Sequence, residues 1–108
     1  MKSATVDALV GSIRKWQRIV SGVEADRGAN NCPLCKMFYS KWPARCVGCP
    51  VYSHTRQEEC RGTPFWDFIS TCTDYDNRWA DTPALRAAAA EELHFLVGLL
   101  PKRFRKRV

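Results

Sequence analysis

The sequence predicts a small, mostly α single domain: about three helices around a zinc-knuckle loop region, with residues 102–108 as a separate basic tail. Three observations predict it. Apolar residues recur with helical period near both ends of the chain. Two Thr-Pro pairs, Thr63-Pro64 and Thr82-Pro83, combine an N-cap hydroxyl with proline at the first helical position. Two C-x-x-C pairs occupy a middle stretch with no sustained period. At 108 residues and 45% hydrophobic content the chain is one globular domain, with a modest core that a metal staple would reinforce.

The first helix is expected over residues 4–23. Val6, Leu9, Ile13, Trp16, Val20 and Val23 share one side at 100° per residue, and Arg14, Lys15 and Arg18 share the opposite side. Gly22 and the polar run 24–31 end it. Between Cys32 and Gly62 the prolines at 33, 43 and 50 argue for a metal-organised loop with a short hairpin at the knuckles. A second helix is expected over 64–79, clustering Phe65, Phe68, Ile69, Cys72, Tyr75 and Trp79 on one face. The last helix, 83–100, carries four consecutive alanines and a stripe of Leu85, Ala88, Ala89, Leu96, Leu99 and Leu100 before Pro101 stops it.

Chemistry concentrates in Cys32-Pro33-Leu34-Cys35 and Cys46-Val47-Gly48-Cys49. In each knuckle, two intervening residues let both sulfurs face one ion while turn amides donate to the thiolates. Two knuckles supply four thiolates, the closed tetrahedral shell of structural zinc. An iron–sulfur cluster and disulfides are the alternatives. The opening Met1–Asp7 has no apolar h-region and no segment reaches membrane-spanning length, so a cytoplasmic protein with reduced thiols and no membrane partner is expected. Lys36, Lys41 and Arg45 would offset the centre's negative charge. Cys60 stands before a helix start and is a substitute ligand for Cys46 or Cys49. His54 reads as an exposed loop histidine, and Cys72 as a small buried hydrophobe.

Cys32-Pro33-x-Cys35, Cys46-x-x-Cys49-Pro50-Val51, Cys60-x-Gly62-Thr63-Pro64 and Phe95-Leu96-x-x-Leu99-Leu100-Pro101 resemble small cysteine-rich proteins encoded by bacteriophages and prophages. The resemblance spans residues 31–101. It implies an accessory protein acting on a host component in the host cytoplasm rather than a metabolic enzyme.

The net charge of +6 is unevenly spread. Residues 63–101 carry two basic and six acidic side chains, whereas Lys102, Arg103, Arg105, Lys106 and Arg107 form an acid-free terminus expected to be flexible. That tail, the Arg14/Lys15/Arg18 face and the loop bearing Phe38, Lys41, Trp42 and Arg45 make a candidate nucleic-acid or partner surface. The plainer reading puts Phe38 and Trp42 in a small core under the metal. Glu92 points into the apolar stripe of the last helix, where an arginine from another helix is the expected partner and a stripe that partly faces a binding partner is the alternative. No Walker A, G-x-S-x-G or H-E-x-x-H motif occurs, and two histidines leave general bases scarce. The expectation is a zinc-stabilised protein-binding module that inhibits or redirects a host protein or complex. A zinc-knuckle nucleic-acid regulator is the alternative, and no catalytic role is expected.

Overall fold

The computed structural model describes residues 1–39 and 45–108. Five α-helices run in order: α1 (Ser3–Val20), α2 (Pro33–Phe38), α3 (Pro50–Thr55), α4 (Pro64–Thr71) and α5 (Pro83–Leu99). Short 3-10 turns add Gly28–Asn31 and Lys102–Arg107, and no strand occurs among the described residues. The mostly helical class is therefore as expected. The middle of the chain differs: it holds two six-residue helices where a loop and hairpin were expected. Each begins with proline directly after a cysteine, so Cys32 and Cys49 are N-cap residues. Six residues are too few for the helical period to show in sequence.

Helix α1 is the central element and packs against α2 and α5, while α5 also carries α3 and α4. Val6, Leu9, Ile13 and Trp16 are buried as the apolar stripe requires, but Val23 is exposed beyond the helix end. That end is a Schellman closure. Gly22 takes φ +82, its amide donates to the Ile19 carbonyl at 3.0 Å, and the Val23 amide donates to the Arg18 carbonyl at 3.0 Å. A second row, Ala8, Ser12, Lys15 and Ile19, is buried as well, so α1 is enclosed on two sides.

Helix α4 stops at Thr71, well short of residue 79. The Thr71 hydroxyl donates to the Asp67 carbonyl at 2.8 Å, and the Asp74 carboxylate accepts the Asp76 amide at 2.9 Å. Such local side-chain bonds compete with helix continuation. Tyr75 and Trp79 consequently leave the expected face and are exposed, whereas Phe68 is completely buried and meets Trp16 edge-to-face at 5.3 Å. Cys72 is half-buried against the core.

The tail is docked rather than free. Lys102–Arg107 forms a 3-10 turn, with Phe104 and Val108 packed against the core. Arg107 pairs with Asp7 at 2.9 Å, and Arg14 donates to the Arg107 carbonyl at 3.0 Å. Arg105 donates to the Leu100 carbonyl at 3.1 Å, placing a cation at the C-terminal end of α5.

Candidate metal centre

Cys32, Cys35, Cys46, Cys49 and Cys60 all line one cavity of about 200 Å³, together with Ser12, Lys15, Trp16, Arg78 and Glu92. The first knuckle closes as its spacing requires: the Cys35 amide donates to the Cys32 sulfur at 3.2 Å. Ser12 on α1 lies 4.0 Å from the same sulfur and accepts the Leu34 amide at 3.3 Å, which ties the knuckle to the central helix. The second knuckle turns through two left-handed residues. Cys46 has φ +66 and Gly48 φ +95, and the Cys49 amide donates to the Cys46 carbonyl at 2.9 Å. Gly48 is required twice over, because a Cβ there would also come within 3.0 Å of the Phe38 ring.

Cys60 enters by a different route. Glu59 and Cys60 both sit in the left-handed region, at φ +60 and +59, where side chains other than glycine are uncommon. Thr63 fixes this turn, its hydroxyl donating to the Cys60 carbonyl at 2.6 Å while accepting the Phe65 amide at 3.3 Å. The Trp66 indole donates to the Glu59 carbonyl at 2.7 Å. Strained backbone held by surrounding bonds is characteristic of functional positions.

The thiols are unequal. The side-chain hydrogen bond from Cys35 is the largest influence on Cys32, and with nearby Lys15 it lowers that thiol to about 6 against opposing burial. The same bond, then burial, raises Cys35. Burial also raises Cys49, although the Val51 and Tyr52 amides favour its thiolate. Cys60 is raised by burial and then by the charges of Glu92 and Cys32. Within the first knuckle the two thiols are pushed in opposite directions, and burial opposes ionisation of Cys35, Cys49 and Cys60.

Cationic groups on the cavity wall come from an unexpected source. Lys15 is buried rather than exposed beside Arg14 and Arg18. Its ammonium donates to the Asp26 carboxylate at 2.8 Å, and Arg78 approaches the other carboxylate oxygen at 3.2 Å. The three charges sum to one positive unit, and its two cations, Lys15 and Arg78, line the cavity. Glu92, in contrast, lacks the arginine partner expected for it. It is buried, its Oε1 makes no hydrogen bond, and burial raises its carboxyl to about 8.

Of the other candidate residues, Phe38 is buried, in keeping with the core reading. Arg45 lies over the Tyr39 ring, its guanidinium carbon 5.1 Å from the centroid. Lys41 and Trp42 lie outside the described residues. Lys36 is exposed, and exposed His54 packs edge-to-face on Phe95 at 5.7 Å. Arg18 pairs with Glu24 at 2.7 Å. Lys102, Arg103 and Lys106 are exposed on the docked tail.

Sequence reading misses Asp26 and Arg78 as site residues and puts Lys15 on the exposed basic face instead of the cavity wall. The signal for Lys15 was its place in the Ala8–Ser12–Lys15–Ile19 row, where a lone cation shares a helix face with small and apolar side chains. Asp26 and Arg78 are joined by backbone bonding, the Asp26 amide to the Arg78 carbonyl at 3.0 Å, across a separation no local pattern reports. Comparison with protein-family models, curated proteins and solved structures gives no match.

Proposed function

We propose that this chain is a metal-stapled helical module that works by binding a protein partner, its thiolate centre serving to hold the fold. The convergence of five cysteines from separate segments on one cavity carries the reading. Four thiolates form a complete shell for zinc, and equally for iron–sulfur chemistry. The site's cations, Lys15 and Arg78, are committed to Asp26 and offset the thiolate charge.

A protein partner is favoured over nucleic acid by what has become of the basic residues. Lys15 is internal, Arg18 and Arg107 have carboxylate partners, and Arg105 is spent on α5. The exposed aromatics Trp66, Tyr75 and Trp79 instead alternate with exposed Asp67, Asp74, Asp76 and Asp81. Such a surface suits a partner with apolar and basic groups, and repels phosphate. A host component as the target agrees with the resemblance to phage-encoded proteins.

The test pairs two measurements. Binding to heparin or DNA should be weak and vanish at physiological salt. Tagged protein should retain a defined host protein that Tyr75→Ala/Trp79→Ala loses while its melting temperature is kept. Tight, salt-steep DNA binding would overturn this assignment in favour of the nucleic-acid reading.

A further inference from the structure

We infer that the cysteine cavity is built for a cubane 4Fe–4S cluster, with Cys32, Cys35, Cys49 and Cys60 as its ligands and Cys46 left at the rim. This rests on the reading that the cysteines hold a metal, and names which metal group they hold.

Size is the first reason. In a tetrahedral zinc shell with bonds of about 2.3 Å, neighbouring sulfurs stand about 3.8 Å apart and one ion fills the space between them. Here the five cysteines share a cavity of about 200 Å³ with aromatic, apolar and charged side chains. That exceeds the roughly 150 Å³ of an engineered cavity that takes up benzene. Such a cavity has room for a compact polynuclear group.

Placement selects the ligands. Cys49 is buried in the core, and Cys32 and Cys60 pack against it from the two flanking segments. Cys35 joins through the hydrogen-bonded first knuckle. Cys46 also lines the cavity, but it precedes exposed Val47 and Gly48 and, unlike Cys32 and Cys60, is not packed against the core. Thr63 and Trp66 both bond the left-handed Glu59–Cys60 turn, so the strained backbone delivers Cys60 inward rather than to solvent.

Chemistry agrees. Four thiolates around an oxidised cubane give a net charge of about −2, which the Lys15–Asp26–Arg78 group meets with one positive unit from the wall. Buried Glu92, whose Oε1 has no hydrogen-bond partner among the described residues, lines the same space and brings an uncommitted polar atom to it. Hydrogen bonds to sulfur and exclusion of water are the protein's means of tuning such a group.

The experiment is anaerobic purification of the full chain, followed by reconstitution with ferrous iron and sulfide, with zinc, iron and acid-labile sulfide counted. Iron and sulfide should appear in equal amounts, about four of each per chain, with broad visible absorption that dithionite bleaches. Cys60→Ser should lose most of that absorption and Cys46→Ser should retain it, with helical circular dichroism recorded for both. About one zinc with no sulfide would overturn the cluster and leave the stapled module intact. Neither metal binding after reconstitution would overturn both. Loss in Cys46→Ser together with retention in Cys60→Ser would overturn the ligand assignment.

Discussion

Lys15 and Asp26 meet at 2.8 Å with side chains 3% and 0% exposed, and this contact joins the central helix to the segment that enters the first knuckle. A buried pair is costly to assemble and costlier to break, because the surviving charge has no water to turn to. Asp26→Ala should therefore destabilise the fold by about 3–5 kcal/mol, through loss of the partner to both Lys15 and Arg78. Urea unfolding measures it. A change under about 1 kcal/mol would mean the pair is hydrated.

The docked tail makes a second expectation. Removing residues 102–108 takes away the packing of Phe104 and Val108 and the Arg105 contacts at the end of α5. A loss of about 1–3 kcal/mol is expected from partial burial of those two side chains. Thermal melting should fall by several degrees, whereas an unattached tail would leave it unchanged.

Metal removal addresses the middle of the chain. The segment from Cys46 to Cys60 holds four non-glycine residues at positive φ: Cys46, Arg56, Glu59 and Cys60. Such positions cost about 1–3 kcal/mol each and persist only when something else fixes them. Verified loss of the bound metal should lower melting by about 10 °C or more, since about 2–3 kcal/mol has that effect in a domain of this size. Amide exchange should rise in α2 and α3 before it rises in α1 and α5.

The cap of α5 is a local control. The Thr82 hydroxyl accepts the Leu85 amide at 3.2 Å, and Pro83 occupies the first turn. Thr82→Ala should cost about 1 kcal/mol by chemical denaturation and leave metal content unaltered.

Glu92→Gln keeps the shape of the buried side chain while removing its ionisable group. Stability within about 1 kcal/mol of the parent is expected, because no ion pair is lost. Glu92→Ala, which enlarges the cavity, should cost more. Paired urea titrations at one pH separate the two.

How much of this was legible in sequence depends on what each residue answers to. The Thr-Pro starts and the stripes of α1 and α5 are local codes, and they mark those helices to within a few residues. The C-x-x-C spacing makes the two cysteine pairs legible as pairs, and the fold brings both to the wall of one cavity. Helices α2 and α3 were hidden, being too short to show a period. The early end of α4 was hidden because aromatic residues beyond it kept the period going after polar side chains had taken the backbone bonds. Lys15 was misplaced because a wheel assigns a cation to the outside, and only the fold could supply Asp26 as the reason to turn it inward. Glu92 is legible as an anomaly, but among the described residues it has no arginine partner, and Lys15 on the same cavity wall is paired with Asp26.

Trp16 lies in the wall of the cysteine cavity, 6.0 Å from Phe65 and 5.3 Å from Phe68, and Trp66 lines the same space. The chain therefore carries its own optical gauge. Zinc neither absorbs visible light nor accepts an electron, and would leave indole emission bright, whereas an iron centre a few ångströms away would extinguish it. The brightness of these two indoles would distinguish the two metals in intact protein, and would follow assembly or loss of the centre in real time.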